Sequence, residues 1–362
     1  MARCAVGLRR FARGCSESAK AGRPIQRILK NAALPALAIA GSAAFAHAAP
    51  CSSLRELRLP HTTVLSAARL DSGTFRKLPA LCRVRLVSKP TPDSRIGIEV
   101  WMPASRWNGR YVGVGNGSWG GSFNYQRLDE ALIAGYATSS TDTGHRGAPR
   151  DKSWAEGHPE KQIDFDYRAT HETALTAKAV IRRFYGQDAA HSYFNSCSNG
   201  GRQGLMEAER YPADYEGILS GAPALVWGFD TFVRGDLQAF EQRGGKLVIY
   251  HGGLDKPETS TRFYTDVRTT MGDSTVRGFF QLYVIPGMRH CGGGGTPSDV
   301  GQTIRASDDA DHSLFKALER WVEQGIRPEG VTASRFRVED EPSSGVTKTR
   351  RLRPYSAVPS KR

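Results

Sequence analysis

The chain has 362 residues and a formal net charge of +14, with 39% hydrophobic and 24% charged residues. That length can build one large α/β domain around a well-buried core. Eight basic residues between Arg3 and Lys30, against the single acid Glu17, place +7 of the charge before residue 49. The remainder shows no interleaved basic and aromatic face, which argues against nucleic-acid binding.

The first 48 residues have the layout of an export signal. A basic stretch ending at Lys30 precedes an alanine-rich apolar run from Ala32 to Ala46, and Ala46-His47-Ala48 fits a small-residue cleavage site. Pro35 and Gly41 interrupt the run, which is too short for a membrane span of about 20 residues. Arg9-Arg10-Phe11 hints at a twin-arginine signal, so the export route stays open. The expected mature chain is secreted or periplasmic and has no membrane segment.

Cys4 and Cys15 leave with the leader, and Cys51, Cys82, Cys197 and Cys291 remain. Four cysteines allow three pairings. Because Cys51 and Cys82 bracket a short segment, the economical pairing is Cys51 with Cys82 and Cys197 with Cys291, in an oxidising compartment. No cysteine and histidine spacing resembles a zinc site, and no metal site is expected.

From residue 84 onward, strand-like and helix-like segments alternate. Val84–Val87 and Ile96–Val100 suit an antiparallel pair. Arg110–Val114 suggests a strand, Leu128–Ile133 a helix and Tyr136–Ser140 another strand. Tyr167–Tyr185 has helical spacing, with Ala174, Ala177, Val180 and Ile181 on one side. Ser192–Cys197 is an expected strand, Gly201–Arg210 a helix and Ile218–Leu219 a short strand. Leu247–Tyr250, between glycine pairs, suits a buried parallel strand. Phe279–Ile285 and Leu314–Gln324 add a strand and a closing helix. The pattern predicts an α/β fold, a mostly parallel sheet flanked by helices, over residues 49–341. Residues 342–362 are basic and suggest a solvated tail.

Three residues with hydrolase chemistry follow predicted strands: Ser198 after Cys197, Asp255 after Leu247–Tyr250, and His290 after Phe279–Ile285. Carboxyl ends of strands are where such sheets gather catalytic groups. The order Ser, Asp, His is that of α/β-hydrolases. A bond between Cys197 and Cys291 would hold their Cα atoms about 5.5 to 6 Å apart and bring Ser198 near His290. Ser196 replaces the first glycine of a G-x-S-x-G elbow, but Gly200 and Gly201 leave room for a sharp turn. The Asn199 backbone N–H is the first expected oxyanion donor, and Gly117, then Gly115, the second. His251 competes with His290 for the base, while Asp266 and Asp273 are weaker choices for the acid. His145 and His171 suit structural hydrogen bonding, and Cys197 itself is the variant nucleophile. Trp119 and Phe123 suit an aromatic substrate pocket or core packing.

A different enzyme class is imitated by Gly115-Asn116-Gly117-Ser118-Trp119-Gly120, a G-x-G-x-x-G run with Asp142 beyond it. Alone it would suggest an NAD(P)-dependent oxidoreductase. The motif is weak by itself, and export leaves little access to such a cofactor.

The segment CSNGGRQGLMEAERYPADYEGILSGAPA, Cys197 to Ala224, closely resembles the nucleophile segment of the tannase and feruloyl esterase family. So do Trp107–Gly121, Gly135–His145, Gly244–Asp255 and Pro286–Gly294, and the likeness runs from Cys51 to about Tyr355. The family shares a CS-D-HC signature in which the two cysteines bond beneath a Ser-Asp-His triad. The resemblance implies a serine carboxylesterase acting on aromatic or phenolic esters, such as galloyl or feruloyl esters. It implies a small-molecule ester substrate, with no cofactor and no nucleic-acid or membrane partner, and leaves the oligomeric state open.

One departure is large. Family members insert a long lid, often with a structural calcium site, between the GAPA segment and the strand before the catalytic Asp. Here Ala224 is followed, after residues 225–235, by Asp236-Leu237-Gln238-Ala239-Phe240, which already resembles the helix after the lid. The lid and its calcium site are expected to be missing, with 225–235 as a vestige. Arg353 stands where many relatives have a cysteine. A lid-less, noncatalytic remnant acting as a binding protein is the alternative that this departure raises.

Overall fold

The computed structural model describes residues 48–229, 233–305, 309–339 and 341–356. The expected leader through His47, with Cys4 and Cys15, and residues 357–362 of the expected tail lie outside the described residues.

Apolar, β-branched and aromatic runs form one nine-stranded sheet. Its strands, in chain order, are β1 (Thr62–Leu70), β2 (Leu81–Ser88), β3 (Ile96–Pro103), β4 (Arg110–Gly113), β5 (Ala137–Thr141), β6 (His191–Cys197), β7 (Gly217–Gly221), β8 (Lys246–Gly252) and β9 (Phe280–Ile285). The spatial order is β1-β2-β3-β5-β4-β6-β7-β8-β9. From β5 through β9 every pairing is parallel, whereas β1, β2 and β3 add an antiparallel wing. The expected pairing of Val84–Val87 with Ile96–Val100 is present, with Val84 opposite Val100 and Leu86 opposite Ile98.

The helices are α1 (Tyr125–Ile133), α2 (Pro159–Ile163), α3 (Ala169–Tyr185), α4 (Asn199–Arg210), α5 (Gln238–Gln242), α6 (Glu258–Met271), α7 (Asp273–Phe279) and α8 (Leu314–Gln324). Local signals set their ends. Asn124 accepts from the Arg127 N–H at the start of α1, and Ser313 does the same for Lys316 at the start of α8. Gly186 and Gly325 terminate α3 and α8 at φ of 72° and 70°, the left-handed conformation that glycine adopts without a Cβ penalty.

Two apolar cores lie against the sheet. One includes Leu86, Ile98, Ala177, Ile181, Phe194 and Ile249, and the other Val112, Leu128, Tyr193, Val248, Leu314 and Trp321. Alternate residues of β6 and β8 therefore feed opposite cores, as a strand with both faces covered requires.

The structure differs from expectation at several elements. Helix α4 starts at Asn199, two positions early, directly after Ser198. Strand β1 is additional. The expected solvated tail instead contributes β11 (Val346–Leu352), paired antiparallel with β10 (Val331–Phe336) in a second, two-stranded sheet. Six of the seven β11 residues are exposed, so backbone pairing rather than side-chain burial holds this basic strand. Between β7 and α5 the chain passes through residues 222–237, of which 230–232 are not described.

Candidate active site

The carboxyl ends of β4, β6, β8 and β9 meet at one edge of the sheet and carry the expected residues. Ser198 stands between β6 and α4 with φ 63° and ψ −125°. A non-glycine residue held there carries strain of order 1–3 kcal/mol, which persists only where the surroundings enforce it. Here they do: the Ser198 N–H donates to the Gly221 carbonyl at 2.9 Å, and the Ser198 carbonyl accepts from Arg202 and Ala224. The two following glycines are sterically required. A Cβ on Gly200 would meet Ser196 Oγ at 2.0 Å and the Asn116 carbonyl at 3.0 Å; one on Gly201 would meet the Gly221 carbonyl at 2.4 Å. Serine in place of the first elbow glycine is thus accommodated because Gly200 leaves space for its hydroxyl.

Cys197 is disulfide-bonded to Cys291, with Cα atoms 5.9 Å apart across 94 positions, and Cys51 is bonded to Cys82. The expected pairing is the observed one. Cys197 is therefore not a free thiol, which removes it as the variant nucleophile. The bond ties the serine elbow to the loop after β9. Backbone bonds tie that loop to the one after β8: Gly253 N–H donates to Ile285 O at 2.8 Å, and Leu254 N–H to Met288 O at 3.0 Å.

Those two loops bring Asp255 and His290 together, with Asp255 Oδ2 2.5 Å from His290 Nδ1. The imidazole is exposed and the carboxylate partly so. With Nδ1 directed at the acid, Nε2 is the nitrogen left for a neighbouring hydroxyl. Among the described residues no hydrogen bond joins the Ser198 hydroxyl to His290; the link between the serine elbow and the histidine loop is the disulfide. Asp266 lies within α6 and Asp273 pairs with Arg268, so neither meets His290.

The loop after β4 packs on the elbow. A Cβ on Gly115 would touch Gln203 Oε1 at 2.4 Å and Gly200 Cα at 2.8 Å, so Gly115 is a packing glycine; Gly117 is exposed with open space around it. The N–H between them, that of Asn116, is already donated to Gln203 Oε1. Asn199 is the first residue of α4, where backbone N–H groups lack helical partners and the helix dipole favours negative charge. The same loop disposes of the dinucleotide reading. Eleven residues separate β4 from α1, and the Asp142 carboxylate is buried, accepting from Gly97 and Gly144 N–H, which leaves it unable to serve a ribose.

Trp119 is 7% exposed, its ring 5.2 Å from Phe165, 5.0 Å from Trp227 and 5.3 Å from Phe229, with Lys152 Nζ 4.0 Å above it. Phe123 is half-buried against Tyr125 and makes no ring contact with this cluster among the described residues. Trp227 and Phe229 lie in the segment expected to be a vestige, and sequence reasoning missed them. Their signal was position: Ala224 N–H bonds the Ser198 carbonyl, and Trp227 N–H bonds Ala224. Phe229 N–H is held by the Asp166 carboxylate. The buried Arg202 of α4 donates to the Phe165 and Asp166 carbonyls and to Asn199 Oδ1. Val226, Trp227 and Leu254, all exposed, border the serine and acid loops.

The other histidines have structural surroundings. His145 stacks on Trp154 at 3.5 Å, and burial pushes it down to about 4, so it stays neutral. His171 Nδ1 lies 2.6 Å from Asp214 Oδ2, near Glu207. These three groups offer donors for a metal ion, but burial and the adjacent Asp214 push Glu207 well above the usual carboxylate range.

The model of the family described as tannase and feruloyl esterase matches residues 82–235 and 230–362. The chain belongs to the tannase and feruloyl esterase family. An uncharacterized esterase of Xanthomonas campestris pv. campestris is 41% identical over 209 residues, covering 56% of this chain and 36% of that protein. The chain thus spans about a third of that relative's length. A relative named probable feruloyl esterase B-2, from Neosartorya fischeri, is 32% identical, with 85% of this chain and 92% of the relative covered. That alignment runs over 489 residues, more than this chain contains, so the relative has insertions without a counterpart here. The crystal structure of feruloyl esterase B from Aspergillus oryzae superposes with a TM-score of 0.75 at 21% identity, over 84% of this chain and 95% of that one. At that identity the likeness speaks to the fold, which is of the α/β-hydrolase type.

Proposed function

We propose that this member of the tannase and feruloyl esterase family is an exported serine carboxylesterase that hydrolyses small aromatic or phenolic esters. The observation that carries the proposal is the joint one at the sheet edge: a strained serine elbow is covalently tied, through Cys197 and Cys291, to the loop whose His290 meets Asp255 at 2.5 Å.

In this reading Ser198 Oγ attacks the ester carbonyl carbon while His290 Nε2 takes its proton, and Asp255 holds the imidazole by Nδ1 and stabilises its protonated form. The oxyanion is met by the Asn199 and Gly117 N–H groups, donors commonly worth a few kcal/mol each. Collapse expels the alcohol, which receives the proton from His290 and leaves an acyl-Ser198 ester. Water then repeats the sequence and releases the acid. No step needs a metal or cofactor. The aromatic cluster around Trp119, with Trp227 exposed, supports an aromatic acyl group beside the serine elbow. Two disulfides support export to an oxidising compartment, and no helix of the described residues is long and apolar enough to cross a membrane.

A panel of aromatic and aliphatic esters assayed with the oxidised mature chain tests the proposal. Hydrolysis that favours aromatic acyl groups is expected. Absence of hydrolysis across the panel would turn the reading toward a noncatalytic binding protein.

A further inference from the structure

Asp255 is approached by two imidazoles. His290 reaches Oδ2 through Nδ1 at 2.5 Å from the outside, and His251 reaches the same residue from the inside. His251 is the penultimate residue of β8 and only 3% exposed. Its Nε2 lies 2.9 Å from the Asp255 carbonyl oxygen and 3.4 Å from Asp255 Oδ2, and its Nδ1 lies 2.8 Å from the Ser260 hydroxyl.

The hydrogen-bond partners fix the tautomer. A backbone carbonyl only accepts, so Nε2 must carry the hydrogen; Nδ1 is then bare and accepts from the Ser260 hydroxyl. Ser260 is itself fully buried, in the first turn of α6, so the ring is gripped between a strand and a helix. One N–H thereby reaches both the main chain and, at longer range, the carboxylate of a single residue. That residue needs the support. Asp255 is three positions beyond the end of β8, and Lys256 after it adopts φ 55°, so no regular element holds it. Its own N–H returns to Gly252 at 3.0 Å, which leaves His251 as the side chain pinning the far end of the loop.

We propose that His251 is a positioning residue for the triad: as a neutral Nε2–H donor it fixes the Asp255 loop so that the carboxylate stays aimed at His290. This inference rests on the proposed esterase function. Burial pushes His251 down from its ordinary value, against the raising influence of Asp255 and Glu258, while His290 lowers it further. Neutrality matters physically, because a charged His251 would compete with the protonated His290 for the same carboxylate.

The test compares His251→Phe, His251→Gln and Ser260→Ala with the wild type. Active-site titration corrects each rate for the fraction of folded enzyme. The far-downfield proton resonance of the His290 to Asp255 hydrogen bond, identified by its loss in His290→Ala, is recorded alongside. We expect His251→Phe to lower kcat by roughly 10- to 100-fold with KM within about twofold, and to weaken the resonance. His251→Gln, whose amide nitrogen can occupy the Nε2 position, recovers kcat to within about fivefold and restores the resonance. Ser260→Ala, which releases the tautomer, falls between. Unchanged kcat per titrated site together with an unchanged resonance in His251→Phe would overturn the proposal, as would His251→Gln being no better than His251→Phe. An inactive wild type whose resonance still responds to His251 in this way keeps the positioning role and refutes the esterase reading instead.

Discussion

Asp255 Oδ2 lies 2.5 Å from His290 Nδ1, although the two residues are 35 positions apart on loops after different strands. An amide in place of the acid keeps the size but loses the charge and offers an N–H where an acceptor is needed. Asp255→Asn is therefore expected to lower kcat by about 10³- to 10⁴-fold, with little change in KM. Steady-state kinetics on one aromatic ester checks this. A loss below about tenfold would show that His290 does not depend on this partner.

The Cys197–Cys291 bond closes a loop of 94 positions and also sets the distance between the serine elbow and the histidine loop. Replacing both cysteines by alanine should cost stability by up to about 4 to 5 kcal/mol in the chain-entropy model. It should also cost activity per folded molecule, because no side-chain hydrogen bond among the described residues replaces the link. Thermal melts combined with active-site titration separate the two losses. The Cys51–Cys82 pair, far from the triad in sequence, is expected to affect melting alone.

Trp227 is exposed, its ring beside that of Trp119, and lies three residues from Ala224, whose N–H bonds the Ser198 carbonyl. Trp227→Ala is expected to reduce kcat/KM for an aromatic ester by about tenfold, the order of one lost aromatic contact. An acetyl ester should change by less than about twofold. Equal losses on both substrates would place Trp227 outside the acyl site.

How far the residues disclosed this arrangement depends on burial. Strand β8 was legible because both faces are covered and its apolar run, Leu247–Tyr250, is continuous, whereas β6, equally covered, mixes Tyr193 and Phe194 with serine and asparagine. Strand β1, Thr62–Leu70, escaped because it is an edge strand with little buried surface, so its polar and apolar residues mix. Val346–Leu352 resembled a solvated tail for the same reason: its basic side chains do face solvent, and only main-chain pairing with β10 makes it a strand. At the site, Ser198 and His290 could be paired in advance because each adjoins a cysteine. The inner partner of Asp255 could not, since His251 looks like a rival base in the sequence and shows its contact with Asp255 only when β8 and the loop are folded. Trp227 was hidden because its place depends on how residues 222–229 turn back toward Trp119.

Glu207 is a buried acid whose pH response has a definite sign. Burial and Asp214 raise it well above 4.5, so its stabilising contribution is complete below that value and is lost as pH rises through the folded-state value. Glu207→Gln stays neutral throughout and can still donate to Asp214. The variant should melt within about one degree of the wild type at pH 5 and a few degrees above it at pH 8. Melting curves at the two pH values decide it; a variant less stable than wild type at pH 8 would mean that Glu207 is ionised in the fold.

Ester hydrolysis here requires Ser198 as a nucleophile activated by His290. Treating the oxidised mature chain with a fluorophosphonate and mapping the adduct by mass spectrometry of its peptides tests that most directly. A single stoichiometric adduct on Ser198 is expected, abolished in Ser198→Ala and slowed strongly in His290→Ala. An unlabelled Ser198 in protein whose Cys197–Cys291 bond is intact would contradict it.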